Sequence, residues 1–416
     1  MKRIRVLMLV ENNPYPADFR VRREALALRD GGYEVSVIAP RAPGQPWAER
    51  IDDIVVYRFA LPALGHGALG HVFEFAWATL ALLLMTTWVA AFRGVHVIHA
   101  ANPPDTLCVI GLLARLLGRK FVFDHHDLAP EIYLARYPDR GNDVLCRLLR
   151  LLERGSHAAA HVVIATNESY RQRAITLGGK APDRVFVVRN GPPASYRLLP
   201  VDPVLARRAK HLIGYVGTIG PQDGVDHWLR AVREMVFTLH RRDFLALVIG
   251  DGDALPALRR LAVHLGIEAC VHFTGRLSEF ESRRLLSATH VCVQPDPLNG
   301  LNDQSTMNKL MEYMALEKPT VAFDLAETRT SAQDAALYVS PNDELAFARE
   351  VCWLLDHPQE RERMGRIGRQ RISQALAWEH SVPSLLRAYA EGLGLAPSPS
   401  PAAAPAMKAR TRSCPP

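Results

Sequence analysis

Two periods of apolar residues alternate along this chain: short runs dense in β-branched and aliphatic residues, and longer segments in which apolar positions recur every three or four residues. The short runs of the first half are IRVLMLV, YEVSVIA, IVVYRFA, HVIHAA, FVFDHHD, HVVIATN and RVFVVRN; those of the second are HLIGYVGT, FLALVIGDG, CVHFTG, HVCVQPD, PTVAFD and ALYVSP. Buried strands separated by helix-length segments predict parallel βαβ units. The expected fold class is therefore α/β, with two doubly wound, Rossmann-like domains facing a cleft, and ligands at the carboxyl ends of the strands. A proline-rich stretch without periodicity, from about Pro192 to Ala209, separates residues 1–195 from residues 210–375. A last helical segment over 376–393 precedes a low-complexity tail, 396–416, which carries three basic and no acidic residues and is expected to be disordered.

One helical segment departs from the amphipathic pattern. Phe75 to Phe92 holds 18 uncharged residues, the lower edge of membrane-spanning length. The strand runs on either side of it belong to one expected sheet, so a helix over 72–92 that covers that sheet and touches lipid is the better reading. Two other segments are basic and amphipathic: Arg147, Arg150 and Arg154 stand beside Leu145, Leu148, Leu149 and Leu152, and GLLARLLGRK adds Arg115, Arg119 and Lys120. Such helices either bind an anionic lipid surface or turn an arginine-rich face to water. The net charge of +7 favours anionic partners without choosing among nucleic acid, membrane and phosphate ligands. Six scattered cysteines with no CxxC fit a reducing compartment. The amino terminus reads as a first strand rather than a signal peptide, and the expected location is the cytoplasm, peripheral on the inner face of the cytoplasmic membrane.

Candidate chemistry gathers at the expected strand ends. In NDQSTMNKLMEYMALEKPTVAFD a helix is predicted over Ser305–Leu316, with Met307, Leu310, Met311 and Met314 on one side and Ser305, Asn308, Lys309 and Glu312 on the other. Asp303, Ser305 and Thr306 suit a helix start, where free N–H groups attract phosphate. Lys309 one turn on suits a diphosphate, and Glu312 can accept from ribose or sugar hydroxyls; a capped surface helix with a Lys/Glu pair would show the same residues. In HLIGYVGTIGPQDG, Gly217 and Gly220 permit close approach of backbone to a ligand, although neither a P-loop nor GxGxxG is present. FVFDHHDLAPE gathers His125, His126, Asp127 and Glu131, where a histidine can contact a reacting sugar and a carboxylate can orient it. The spacing offers no third and fourth metal ligand. Asp251-Gly252-Asp253 reads as a tight turn or as a metal-holding pair, and Asp18 and Arg20 follow the first strand, where the cleft begins.

In this order the segments resemble glycosyltransferase family 4, from DFRVRREALALRDGGYEVSVI through GDGDALPALRRLAVHLGIEACVHFTGRL and MEYMALEKPTVAFD to ALYVSPNDELAFAREVCWLLDHPQERERMGRIGRQRI. The resemblance implies the GT-B architecture, a C-terminal helix crossing back to the first domain, and retaining transfer from a nucleotide sugar with no metal or other cofactor. It implies that Glu312 is the second of the family's paired glutamates and binds the donor's ribose. Arg276 and Leu277 would border the nucleobase, His126 would lie near the transferred sugar, and Gly217 would begin the turn near the diphosphate; Asp127 is expected to join His126 in positioning the sugar and the acceptor hydroxyl. Two departures stand out: Gln304 replaces the first glutamate, and Thr218 and Asp223 replace the usual basic phosphate pair. Lys309, Arg276 and the Ser305/Thr306 helix start are therefore expected to supply the positive charge. Asp18, Arg20 and Glu131 fall on the acceptor side. The implied partners are a UDP- or GDP-sugar and a glycan or polyprenyl-linked acceptor of bacterial polysaccharide assembly, not nucleic acid. A nucleotide-sugar epimerase and a non-catalytic glycan-binding or scaffold subunit are the alternatives.

Overall fold

The structure, a computed structural model, describes residues 3–62, 68–140, 143–201 and 209–395. Linker residues 202–208 and the 396–416 tail lie outside the described residues. All thirteen apolar runs form strands, in two sheets.

The first sheet contains β1 (Arg5–Leu9), β2 (Glu34–Pro40), β3 (Ala48–Ile51), β4 (Ile54–Phe59), β5 (Val97–Ala101), β6 (Lys120–His125), β7 (Val162–Ala165) and β8 (Val185–Val187), in the order β3-β4-β2-β1-β5-β6-β7-β8. All neighbours run parallel except β3, which pairs antiparallel with β4. This edge strand has no apolar alternation and went unpredicted. It exists because Asp52 and Asp53 both take positive φ, 50° and 62°, the two-residue hairpin geometry that short polar side chains tolerate. The second sheet contains β9 (His211–Val216), β10 (Phe244–Ile249), β11 (Val271–Gly275), β12 (Val291–Gln294), β13 (Thr320–Phe323) and β14 (Ala336–Val339), parallel throughout in the order β11-β10-β9-β12-β13-β14. The strand order reverses beside β1 in the first sheet and beside β9 in the second, so each sheet opens a crevice at that switch point.

Helices α1 (Phe19–Asp30), α2 (Ala68–Phe92), α3 (Cys108–Leu116), α4 (Ala129–Arg136), α5 (Val144–Ala159) and α6 (Glu168–Thr176) cover the first sheet. Segment Phe73–Phe92 of α2 is long and apolar enough to cross a membrane. Its flanking strands β4 and β5 nonetheless lie in one sheet, so both of its ends stay with that domain. It packs Ala78, Leu82 and Val89 into the core and leaves Phe73, Trp77, Leu80, Leu84, Trp88 and Phe92 exposed.

At the far end of the chain, the Trp378–Arg387 helix packs on the first domain: Trp378, Leu385, Ala388, Tyr389 and Leu393 share a core with Val21, Ala25 and Leu28 of α1. Its joint with the linker is tight, for Trp378 N–H donates to the Pro192 carbonyl at 3.0 Å. A Cβ on Gly191 would stand 1.7 Å from the Leu376 carbonyl oxygen. Gly191→Ala is therefore expected to cost about 1–3 kcal/mol by overpacking, read as a lower midpoint in urea unfolding.

Candidate active site

The second domain builds its part of the cleft at the β9/β12 switch point. Strands β9 and β10 end in glycines that cross at van der Waals distance: a Cβ on Gly250 would lie 1.9 Å from the Gly217 carbonyl oxygen, and both residues have positive φ. Thr218 follows, exposed. Asp223 then closes a turn by accepting the Gly220 N–H at 2.9 Å. Asp251 likewise accepts from Gly252 within its own turn, as a capped βα loop requires.

Beyond β12 comes Asp296, buried, and across from it Lys309 on the Asn308–Ala315 helix. Sequence periodicity put Lys309 on a polar face; the structure corrects this. Lys309 is only 8% exposed, with Nζ 2.7 Å from Asp296 Oδ1 and 3.7 Å from Asp223 Oδ1, and it lies 4.9 Å from the centre of the Tyr215 ring. Burial opposes the ammonium, but Asp296, Tyr215 and Asp223 outweigh it and raise the Lys309 pKa. Burial pushes Asp296 up to about 6 against the pull of Lys309. The expected phosphate cation thus arrives already paired, with its longer contact on the Asp223 side.

A second correction concerns the helix start. The helix begins at Asn308, not Ser305, because Ser305 and Thr306 bond to the first domain. Tyr170 OH lies 2.9 Å from Ser305 Oγ, and Asn167 Nδ2 donates to Thr306 Oγ1 at 3.0 Å and to the Gln304 carbonyl at 2.8 Å. These hydroxyls are therefore not free phosphate donors. The Gln304 side chain donates to the Gly300 carbonyl. Leu301 of the same loop is buried in the first domain's core, so residues 299–306 clamp the two domains together.

Glu312 is half-buried. Burial and the nearby Glu279 push its carboxyl up to about 7, opposed by Arg23 from α1 and by a hydrogen bond with Tyr196. Arg276 is exposed just beyond β11, and Leu277 packs with the second domain's core.

In the first domain, the end of β6 is fixed by Asn102. Its Oδ1 accepts the N–H groups of His126 and Asp127 at 2.9 and 3.1 Å, while its Nδ2 donates to the Asp127 carbonyl at 2.7 Å. His126 Nδ1 lies 3.2 Å from Asp124 Oδ2. Burial opposes a charge on His126, but the hydrogen bond and charge of Asp124, with Asp127 beside it, prevail and raise its pKa. Burial raises the Asp127 carboxyl too.

Strand alternation turns His125 to the opposite face, where it is buried against Phe123, His157 and Tyr170. The acceptor-side expectation fails for three residues. Arg20 is buried and bidentate on Asp124 at 2.8 and 2.6 Å. Asp18 is also buried and caps α1 by accepting the Val21 N–H. Glu131 is tied to Arg173 at 2.8 Å. Each supports the loops around the cleft rather than offering itself to a ligand.

Among the described residues, two buried groups have metal-ligand composition, His125/Glu153/His157 and Glu24/His99/Asp124. In both, a guanidinium already sits on the carboxylates, Arg173 on Glu153 and Arg20 on Asp124, so these donor sets fit ion pairs better than a cation.

Sequence reading missed Asn102, Asp124, Asn167 and Tyr170. Of these, only Asp124 carried a local signal, one residue before the histidine pair.

Residues 18–191 match the family model described as "Glycosyl transferase 4-like domain", and residues 210–357 match "Glycosyl transferases group 1". The chain is 26% identical to a 2-deoxystreptamine glucosyltransferase of Streptomyces kanamyceticus over 395 residues, 90% of this chain and 98% of that one. It is 28% identical to a D-rhamnosyltransferase of Pseudomonas aeruginosa over 155 residues, 36% of this chain and 39% of the relative. In fold it resembles a sucrose-phosphate synthase of Thermosynechococcus elongatus with TM-score 0.76 and 16% identity, over 94% of this chain and all of that one.

Proposed function

The chain belongs to glycosyltransferase family 4 with the GT-B fold, and from that premise we propose that it moves a sugar, with retention, from a UDP- or GDP-sugar to a glycan or polyprenyl-linked acceptor in cell-surface polysaccharide synthesis. The observation that carries this reading is the clamp at 299–306. There Asn167 and Tyr170 of the first domain bond to Gln304 and Ser305, and Leu301 enters the first domain's core, which supports a ligand held between His126 and Asp127 of one domain and Lys309 and Glu312 of the other. Glu312 takes the ribose hydroxyls. Lys309, offering its Asp223 side, and Arg276 stabilise the negative charge that develops on the departing diphosphate. His126 and Asp127 position the sugar and the acceptor hydroxyl. As the anomeric carbon–oxygen bond to the diphosphate breaks, the acceptor oxygen bonds to that carbon, and its proton passes to the leaving diphosphate. With side chains supplying the positive charge, no metal has a part in this scheme, and turnover is expected to persist in EDTA.

Calorimetric titration with UDP and with GDP tests the donor site. One nucleotide is expected to bind in the micromolar range and to bind more weakly to Glu312→Ala; binding of neither would remove this assignment. NMR of the products separates transfer, which needs an acceptor, from epimerisation, which does not.

Glu312 also gives a pH signature. Its carboxyl is raised to about 7 in the fold, and only the ionised form accepts from both ribose hydroxyls. Affinity for a nucleotide sugar, whose diphosphate stays ionised throughout, is expected to rise from pH 6 to pH 8 in wild type and to stay flat in Glu312→Gln.

The acceptor reading draws on the outer face of the first domain. Helix α2 shares its core with α3 and the end of α5, and Leu112, Leu113 and Leu116 of α3 and Leu148 and Leu151 of α5 are exposed like the α2 stripe. Arg115, Arg119, Arg147 and Arg154 accompany it. Apolar and aromatic side chains rimmed by arginine suit an anionic bilayer surface, which would place the protein on the inner face of the cytoplasmic membrane. Vesicles containing phosphatidylglycerol are expected to co-sediment the protein and phosphatidylcholine vesicles to leave it in solution. Trp77→Glu/Leu84→Glu should abolish the difference.

A further inference from the structure

A chain of buried polar contacts runs from the crossing helix region to the cleft. Tyr389 OH lies 2.8 Å from His99 Nδ1, and His99 Nε2 lies 3.3 Å from Glu24 Oε2. Glu24 Oε1 lies 3.1 Å from Arg20 Nη2. Arg20 grips Asp124 with Nε and Nη2, and Asp124 Oδ2 faces His126 Nδ1 at 3.2 Å. Tyr389, His99, Glu24 and Asp124 are each 0% exposed. Apolar contacts already seat this end of the chain, through Leu385, Ala388 and Leu393. A buried ionic series is costlier than apolar packing of equal volume, so stability alone does not account for it. The Glu24 oxygens and His99 Nε2 make these close contacts without a hydrogen-bond partner, so the middle of the series is held by packing and charge, and displacing one member disturbs the rest.

We infer that Asp124 is the positioning residue that holds His126 with Nδ1 toward the protein and Nε2 toward the cleft, and that Tyr389 sets this arrangement from the far end through His99, Glu24 and Arg20. Docking of the C-terminal segment, which follows the donor domain in sequence, is thereby read out in the orientation of the histidine beside the transferred sugar. The inference rests on that placement of His126.

Protonation states agree with a balanced series. Burial pushes Glu24 up to about 8, with Asp124 adding to the rise and Arg20 opposing it; burial pushes His99 down to about 4. At neutral pH Glu24 is protonated and His99 neutral, and His99 Nδ1 shares a hydrogen bond with Tyr389 OH. The charged pair that remains is Arg20 with Asp124. The charged or titratable groups around His126 are then Asp124, Asp127, Arg20, Glu24, His99 and His125.

The test uses the full chain labelled with 15N-histidine, with the His126 signals identified by their loss in His126→Gln. In wild type His126 is expected as the Nδ1–H tautomer when neutral, with a pKa above the ordinary histidine value. Asp124→Asn should lower that pKa by about one unit or more, and Tyr389→Phe should shift it in the same direction by less. Leu393→Ala, which removes packing from the same core without touching the series, should leave His126 unchanged. A wild-type titration curve in Tyr389→Phe, or an equal shift in Leu393→Ala, would overturn the inference. In turnover, Asp124→Asn should lower kcat about 10–100-fold with the donor KM unchanged; a rise in KM alone also overturns it. Because the NMR signals report on the histidine itself, failure of the glycosyltransferase reading would appear separately, as absent turnover with these shifts intact.

Discussion

Lys309→Met is expected to cost about 3–5 kcal/mol of folding stability as well as most of the turnover, because removing one partner of a buried ion pair leaves the other uncompensated. Asp296 is 1% exposed, and its Oδ2 has no hydrogen-bond partner even with Lys309 present. The pH dependence has a definite sign. Asp296 is raised from 3.8 to about 6 in the fold, so the native state holds its proton to higher pH than the unfolded chain. Stability from this group is present at low pH and is lost as pH rises through that value. Removing Lys309 takes away the main counter-charge and raises Asp296 further, so the loss should be larger at pH 8 than at pH 5. Urea unfolding of wild type and variant at both values measures it. Lys309→Met/Asp296→Asn should recover stability without recovering transfer. A Lys309→Met variant as stable as wild type at pH 8 would mean that the pair contributes nothing to folding.

That prediction depends on a contact the sequence could not show. Met307, Leu310, Met311 and Met314 announce a helix packed on a sheet, and the short β-branched runs announce parallel strands, because burial on both faces leaves a direct imprint on residue type. The partner of Lys309 carries no such imprint. Asp296 reaches it across the connection after β12, and Tyr215 and Asp223 meet the pair because β12 lies beside β9, an order decided by the winding of the whole domain. Likewise Arg20 and Asp124 are 104 positions apart, and neither has a local pattern that separates a buried ion pair from a solvated one. Ser305 and Thr306 looked like a helix start for the same reason: their true partners, Tyr170 and Asn167, belong to the other domain. Residue type at strand ends therefore identified where polar chemistry collects, while its pairing waited for the topology. The antiparallel β3 escaped for a different reason, since its hairpin rests on backbone conformation at Asp52 and Asp53 rather than on hydrophobic alternation.

Two substitutions on opposite sides of Asp124 separate chemistry from support. His126→Ala is expected to reduce kcat about 100- to 10,000-fold, the range for loss of a positioned proton-carrying group, with little change in thermal stability. Its side chain is 15% exposed and, among the described residues, bonds only to Asp124, while Asn102 holds its backbone in place. Arg20→Met should lose both properties. Asp124 and Glu24 would be left as buried carboxyl groups without a guanidinium, at a cost of about 3–5 kcal/mol, and His126 would lose the fixed carboxylate that orients it. Asp124 is ionised in the fold far below the ordinary range: burial opposes this, but Arg20 and then His126 overcome it. Without Arg20 its pKa would rise, so the stability deficit of Arg20→Met should narrow as the solution is acidified. Thermal melts at pH 5 and pH 8, beside initial transfer rates, check both halves. Equal rates in wild type and His126→Ala would remove His126 from the reaction. A stable but inactive Arg20→Met would return Arg20 from the support of the cleft to the ligand side.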